Sequence, residues 1–313
     1  MDRLKPGKVI VLVLFSGWVF FIGSGFDLSR HSIPLEEISD GGPGKDGIPS
    51  INNPHFLSVE EAEGSLMRNS DRLLGFVHKG QARAYPVKIL NWHEIVNDRV
   101  GGKAVVVTFC PLCGTGMVFD ANVKNSKFTF GVSGLLYQSD MLLYDHQTES
   151  LWSQIKSQAV TGPMTGTRLK LLASTHTDWG TWKKEHPDTK ILSDRTGYRR
   201  PYDRNPYQGY EFSSRLMFDV NLRNSKLHPK EKVIGIELGG KSKAYPFSEL
   251  NKVSSPIKDV VSKVPIQIHY DGKTGTAVIR DEKNIELPSV VGFWFAWYAF
   301  HPETELFFAE NRK

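Results

Sequence analysis

Residues 72–91 read RLLGFVHKGQARAYPVKILN, and residues 232–251 read KVIGIELGGKSKAYPFSELN. Gly75, Gly80, Ala84, Tyr85, Pro86, Leu90 and Asn91 recur as Gly235, Gly240, Ala244, Tyr245, Pro246, Leu250 and Asn251. The likeness continues downstream, where residues 107–120 (VTFCPLCGTGMVFD) face residues 268–281 (IHYDGKTGTAVIRD). The Gly-Thr pair and the closing Asp keep register, but Asp271 and Thr274 stand where Cys110 and Cys113 do. A weaker echo sets residues 144–149 (YDHQTE) against residues 300–305 (FHPETE), with the second copy a few residues shorter. Two copies are too few for a solenoid. They imply a pseudo-symmetric pair of small domains, or one domain built from two halves, in which a scaffold is kept twice and its thiols once.

Each copy has a legible local pattern. Residues 73–77 and 82–85 flank Lys79-Gly80, a hairpin signal. Pro86 suits the first turn of a helix, where its missing N–H is not needed. That helix is expected to run to about Asn97 and to stop at Gly101-Gly102. Ile89, Trp92, His93 and Val96 would then share one face. The β-branched run 104–109 reads as a buried strand with residues 117–120 as its hairpin partner, and residues 127–132 and 141–144 as further strands. A second helix is expected around residues 179–185. The fold class is therefore α+β and β-rich, with internally duplicated hairpin–helix–hairpin units.

The ends and joints of the chain divide it further. Arg3, Lys5 and Lys8 precede an almost unbroken apolar run from Val9 to Phe21, which is the pattern of an export leader. With residues 22–26 it is about long enough to serve as an uncleaved membrane anchor, so the remainder is expected outside the cytoplasm. We read residues 1–26 as signal peptide or anchor, 27–70 as an N-terminal arm, 71–193 as the first repeat, 194–231 as an irregular Tyr/Arg/Pro linker or lid, and 232–313 as a second, mainly structural repeat. Residues 41–49 (GGPGKDGIP) are not a phosphate loop, because Asp46 follows the lysine where Ser or Thr is required. Hydrophobic residues make up 40% of the chain and charged ones 23%, with a net charge of +5. Lysines and arginines are scattered, not striped, so no nucleic-acid partner is expected.

Several blocks carry a family resemblance: GGPGKDGIP (41–49), GQARAYPVKILNWHEIVND (80–98), FCPLCGTGMVFD (109–120), FGVSGLLYQSDMLLYDHQTESLW (130–152) and FAWYAFHPETEL (295–306). They resemble the signature blocks of the bacterial domain-of-unknown-function family numbered 3179, over roughly residue 35 to the C-terminus. The resemblance implies an exported or membrane-tethered bacterial or archaeal protein. It implies no activity.

Cys110-Pro-Leu-Cys113-Gly supports three readings. A metal knuckle would bring both thiolates to one ion, zinc or copper, with further ligands from elsewhere because a single knuckle supplies only two of four. A thiol–disulfide protein of the envelope is the second, although the helix that lowers a thioredoxin-like cysteine's pKa is missing after Gly114. Two inert thiols in a ligand-binding or assembly module are the third. Whether the protein is an enzyme is left open. His93 and Glu94 become Val253 and Ser254 in the second copy, so His93 disappears together with the thiols. His146 faces Pro302 and sits beside Asp140, Asp145 and Glu149. The candidate ligands are thus Cys110, Cys113, His93 and His146, supported by Asp140, Asp145, Glu149, Glu94 and Met117. Thioethers of Met117 and Met141 near the thiolates would favour copper.

Overall fold

The computed structural model describes residues 25–312. The expected hairpin forms: Arg72–His78 and Gln81–Pro86 pair antiparallel from Leu73↔Pro86 to His78↔Gln81. Lys79 and Gly80 have φ of +47° and +73°, the left-handed pair that lets a two-residue turn follow the strand twist. Thr175–Asp178 adds antiparallel to one edge, and Lys190–Leu192 adds parallel to the other. In the second half, Lys232–Leu238 and Lys241–Pro246 take Val290–Phe293 antiparallel on one edge and Glu305–Leu306 parallel on the other. The four strands follow the same order and direction in both sheets.

A short helix links the outer strands of each sheet: Trp179–Glu185 in the first and Trp294–Phe300 in the second. Each lays a tryptophan on a glycine. A Cβ on Gly75 would overlap the Trp182 ring, and one on Gly235 the Trp297 ring. The indole N–H groups of Trp182 and Trp297 donate to Thr189 and Thr304, both at 2.9 Å. Here a glycine is required by close approach of a ring, not by its φ.

A second layer follows each hairpin. Ile95–Val100, Lys103–Cys110 and Thr115–Asp120 form an antiparallel sheet with Leu171–Leu172 on its edge. Ile257–Val261, Val264–Asp271 and Thr276–Asp281 form a three-stranded sheet in the second half. The expected long helix is corrected by this layer. It spans only Val87–His93, because Glu94 turns the chain with φ of +56°. Ile95, Val96 and Val100 then prefer an extended, half-buried surface, so Val96 pairs with Val107 rather than sharing a helix face with His93.

Two further expectations change. The strand placed at 127–132 is split: Ser126–Lys127 pairs locally with Asn122–Val123, and the long strand is Phe130–Tyr137. The echo between residues 144–149 and 300–305 is not a structural one. Residue 144 lies in the strand Asp140–Asp145, whereas Phe300 ends a helix. The place of residues 300–305 is taken in the first half by residues 185–190 (EHPDTK): His186 stacks on Trp182 at 4.1 Å and His301 on Trp297 at 4.0 Å.

Residues 130–159 instead supply four strands of a five-stranded sheet, Phe130–Tyr137, Asp140–Asp145, Leu151–Ser153 and Gln158–Ala159, and Ile38–Asp40 of the N-terminal arm completes it. Only residues 282–289 stand at that point of the second half, so this inserted sheet has no partner there. It packs on the cysteine-bearing sheet, burying Phe119, Phe130, Met141 and Trp152 in a core that reaches Phe293 and Trp297. The expected leader or anchor, residues 1–26, falls outside the described residues except for its last two. Among the described residues no helix is long and apolar enough to cross a membrane.

The glycine–indole contact sets the first test. Trp182→Ala should cost about 3–5 kcal/mol in urea unfolding, and Gly75→Val should also destabilise by overlap with the ring. A Gly75→Val protein with a wild-type transition would show that the ring does not lie on that glycine.

Candidate metal centre at the cysteine turn

Cys110 ends the strand Lys103–Cys110 and pairs with Thr115 across the turn, so residues 111–114 form a tight loop at the sheet end. Gly114 takes φ of +63° with the Phe293 ring against its α-carbon. The Cys113 carbonyl accepts the Phe293 N–H at 2.8 Å. Thr115 packs against Gly292, where a Cβ would meet its methyl at 2.5 Å. The second half therefore holds the cysteine turn from one side.

The inserted sheet closes the other side. Gln138 and Ser139 have φ of +52° and +63° and turn Phe130–Tyr137 into Asp140–Asp145. This turn delivers the Ser139 carbonyl, which accepts from Cys113 Sγ at 3.3 Å, and the carboxyl group of Asp140. One ligand atom from each of Cys110, Cys113 and Asp140 lies within 4.8 Å of the others, and all three residues are buried. Asp140 Oδ2 accepts the Ile155 N–H at 3.0 Å, while Oδ1 has no partner. Among the described residues seven buried side-chain polar atoms lack a partner, and three of them, on Ser139, Asp140 and Tyr210, border the thiols. Such atoms call for an explanation, commonly an ion, a water or a ligand.

Electrostatics point the same way. Burial pushes Asp140 up to about 7. Glu94 is pushed to about 8, by burial first and by the charge of Asp140 second. Cys113 is raised well above the ordinary thiol, by burial, then by Cys110 and Asp140. No basic side chain contributes to holding the charge of Asp140 or Glu94. Buried charges are ordinarily paired or bound to metals, and these groups instead hold their protons to a higher pH than free carboxyls and thiols do.

The remaining sequence candidates lie elsewhere. His93 is buried with Nδ1 2.7 Å from the Pro49 carbonyl and Nε2 2.7 Å from the Tyr202 hydroxyl. Both nitrogens are used, so His93 pins the N-terminal arm and the 194–231 segment and is not among the atoms gathered with the thiols. His146 Nδ1 meets Thr129 Oγ1 at 2.9 Å on the exposed side of the inserted sheet. Asp145 accepts from Thr148 and from the Trp152 indole, closing its own turn. Glu149 pairs with Lys45 at 2.8 Å. Met117 and Met141 are buried in the same core as the cysteines.

Sequence reading did not single out Tyr207 and Tyr210, which come from the segment weighed as linker or lid. Burial raises both phenols, Tyr210 to about 12, with Cys113 and Cys110 adding to it; Tyr207 is raised further by Glu94 and Cys110. A cleft of about 200 Å³ runs alongside, lined by Phe109, Pro111, Gly114, Tyr207, Tyr210 and Phe293. The one available signal was the density of tyrosines in residues 198–210.

The family described as "Protein of unknown function (DUF3179)" matches residues 45–286. The chain belongs to this family. The matched span includes the cysteine turn, Asp140, Glu94 and both tyrosines, so the site lies inside the family region. No curated protein and no solved structure matches the chain. The family description names no activity, and function has to be read from this geometry.

The raised carboxyls fix a pH dependence. In the metal-free protein, Asp140 and Glu94 shed protons near 3.8 and 4.5 when unfolded but near 7 and 8 when folded. Between those limits the folded state holds more protons on these two groups, so their contribution to stability falls as pH rises from about 4 to about 8, while the buried His176 and the partly buried His301, both lowered to about 4, act in the opposite sense below about 6.5. Metal-free protein should thus withstand less urea at pH 8 than at pH 6.5, and Asp140→Asn should reduce the difference. Equal midpoints at both pH values for the wild type would contradict the buried-acid assignment.

Proposed function

We propose that the protein binds one transition-metal ion through Cys110, Cys113 and Asp140. The observation that carries this reading is the convergence of two thiols and a carboxyl, all buried, with one carboxyl oxygen lacking any partner. Two sulfurs at about 2.3 Å from a tetrahedral ion lie roughly 3.8 Å apart. Ligand atoms within 4.8 Å of one another reach that spacing by small side-chain rotations. Two thiolates and one oxygen suit zinc better than copper, since a carboxylate is a hard donor. Three protein ligands leave one position open, as in catalytic rather than structural zinc sites. The Tyr207–Tyr210 wall and the adjoining cleft support an ion that meets a small molecule there. Glu94, buried and within reach of the charge of Asp140, is the candidate for a fourth ligand or a proton carrier.

The thiol–disulfide reading is less well supported. A redox cysteine needs a lowered pKa and access, whereas Cys113 is fully buried and raised.

In this reading the chain is an internal duplication. The shared strand order of the two hairpin sheets, the paired glycine–tryptophan contacts, and Tyr85–Asp98 beside Tyr245–Asp259 at 2.7 and 2.9 Å support it. The metal site belongs to the first copy because only that copy carries the inserted sheet. The basic-then-apolar N-terminus supports an extracytoplasmic address, by cleavage or by anchoring in a membrane.

Protein purified under reducing conditions with zinc supplied should carry about one ion per chain. Cys110→Ser, Cys113→Ser and Asp140→Asn should lose it and keep their circular dichroism, because the second half folds with Asp271 at the position of Cys110. His93→Gln should keep the ion. Metal-free wild type with a reducible disulfide would overturn the proposal in favour of redox chemistry.

A further inference from the structure

The face that carries the cysteines has a counterpart in the second half that no further sheet covers. Gln267 pairs with Arg280, His269 with Val278 and Asp271 with Thr276. Residues directly opposite in a pair of strands share a face. The corresponding pairs in the first half are Val106 with Phe119, Thr108 with Met117 and Cys110 with Thr115. There the face is buried beneath the inserted sheet. In the second half the same place is a cleft of about 830 Å³ between this sheet and the helix that carries Trp182. Its side chains are polar where their first-half counterparts are mostly apolar.

We propose that this cleft binds a small molecule through a carboxylate, held by Arg280 and His269. Both residues line the cleft, and Arg280 Nε and His269 Nε2 are buried atoms with no partner among the described residues. The guanidinium nitrogen only donates, so its missing partner is an acceptor. Arg280 Nη1 is already occupied by Asn284 at 3.1 Å, which fixes the plane of the fork. Burial and Arg280 lower His269, leaving a neutral ring that can offer an N–H to the same oxygen pair.

Glu286 feels the charge of Arg280, but Arg280 Nε makes no hydrogen bond to it or to any other acid of the cleft among the described residues. Glu286 Oε1 accepts from Thr175 at 3.2 Å, and Asp271 Oδ1 accepts the Lys273 N–H at 2.9 Å. With Glu185 on the rim they oppose a second negative charge, which favours a monocarboxylate over phosphate or sulfate. The volume leaves room for a ring or chain beside Val278 and Trp182.

The test is titration of the full chain with acetate, benzoate and sulfate, followed on the imidazole resonance of His269, assigned with His269→Gln. Acetate and benzoate should shift it saturably. Arg280→Ala should weaken binding by about tenfold or more, the worth of one charge-assisted hydrogen bond. Arg280→Lys should fall between, because it keeps the charge and loses the fork. Cys110→Ser should bind normally, since this cleft is independent of the cysteine site. No saturable shift with either carboxylate, sulfate binding as tight as the carboxylates, or binding unchanged in folded Arg280 variants would each overturn the proposal. Should Arg280→Ala fail to fold, Arg280→Lys decides.

Discussion

The hydrogen bond from the Phe293 N–H to the Cys113 carbonyl joins the two halves at the cysteine turn. A matching clamp works in the opposite direction. The guanidinium of Arg72 donates to the carbonyls of Thr274 and Gly275, in the turn that stands where the cysteine turn does, and Thr177 meets Thr276 at 2.7 Å. Each half grips the turn of the other. The cysteine turn is therefore braced by contacts from the other half in addition to its own strand pair. Small zinc modules that fold only with their metal have no such second support. A site held in advance loses less conformational freedom on binding, and its energetic cost falls on the buried acids instead.

That cost has a definite origin. Asp140, Glu94 and Cys113 are deprived of water and given no cationic side chain. Protonation removes the charge in the empty state, and an ion would do so in the filled one. The two solutions compete for the same groups, so metal affinity should rise with pH over the range where the empty fold weakens. Burial also strengthens every electrostatic interaction inside the pocket, which gives the inserted sheet a role beyond packing.

Much of this was legible in the sequence, and the exceptions share a cause. The hairpins, the helix at Trp179–Glu185 and the Cys110–Thr115 turn rest on local signals: turn residues, β-branched runs and glycines at fixed offsets. The Glu94 break was hidden because Ile89, His93 and Val96 fit helical spacing by coincidence, and only pairing with residues 103–110 decides against it. His93 vanishes from the second half along with the cysteines, yet for another reason: its partners, Pro49 and Tyr202, belong to the arm and the linker. Joint loss marks residues special to one copy and does not place them together. Asp140 was grouped with Asp145, His146 and Glu149 by nearness in sequence. Asp140 and Asp145 sit at opposite ends of one strand and, five residues apart, point to opposite faces, while His146 and Glu149 lie beyond its far end.

The sheet formed by residues 130–159 accounts for the difference between the two halves. On one scaffold, the strand positions filled by Val106, Cys110, Met117 and Phe119 are filled in the other half by Gln267, Asp271, Val278 and Arg280. A covered face must be apolar or satisfied, because an unpaired polar group buried there costs several kcal/mol. An open face carries no such demand and retains charged and hydrogen-bonding side chains. Cysteine suits the covered state in particular, being a small, readily buried residue that becomes a strong metal ligand once deprotonated. Under the cover it can wait as a neutral thiol. On the open face the same position would expose it to oxidation, and there the chain has aspartate. The chemistry of each half thus follows from whether residues 130–159, or only a short connection, stand between its second layer and its outer strand.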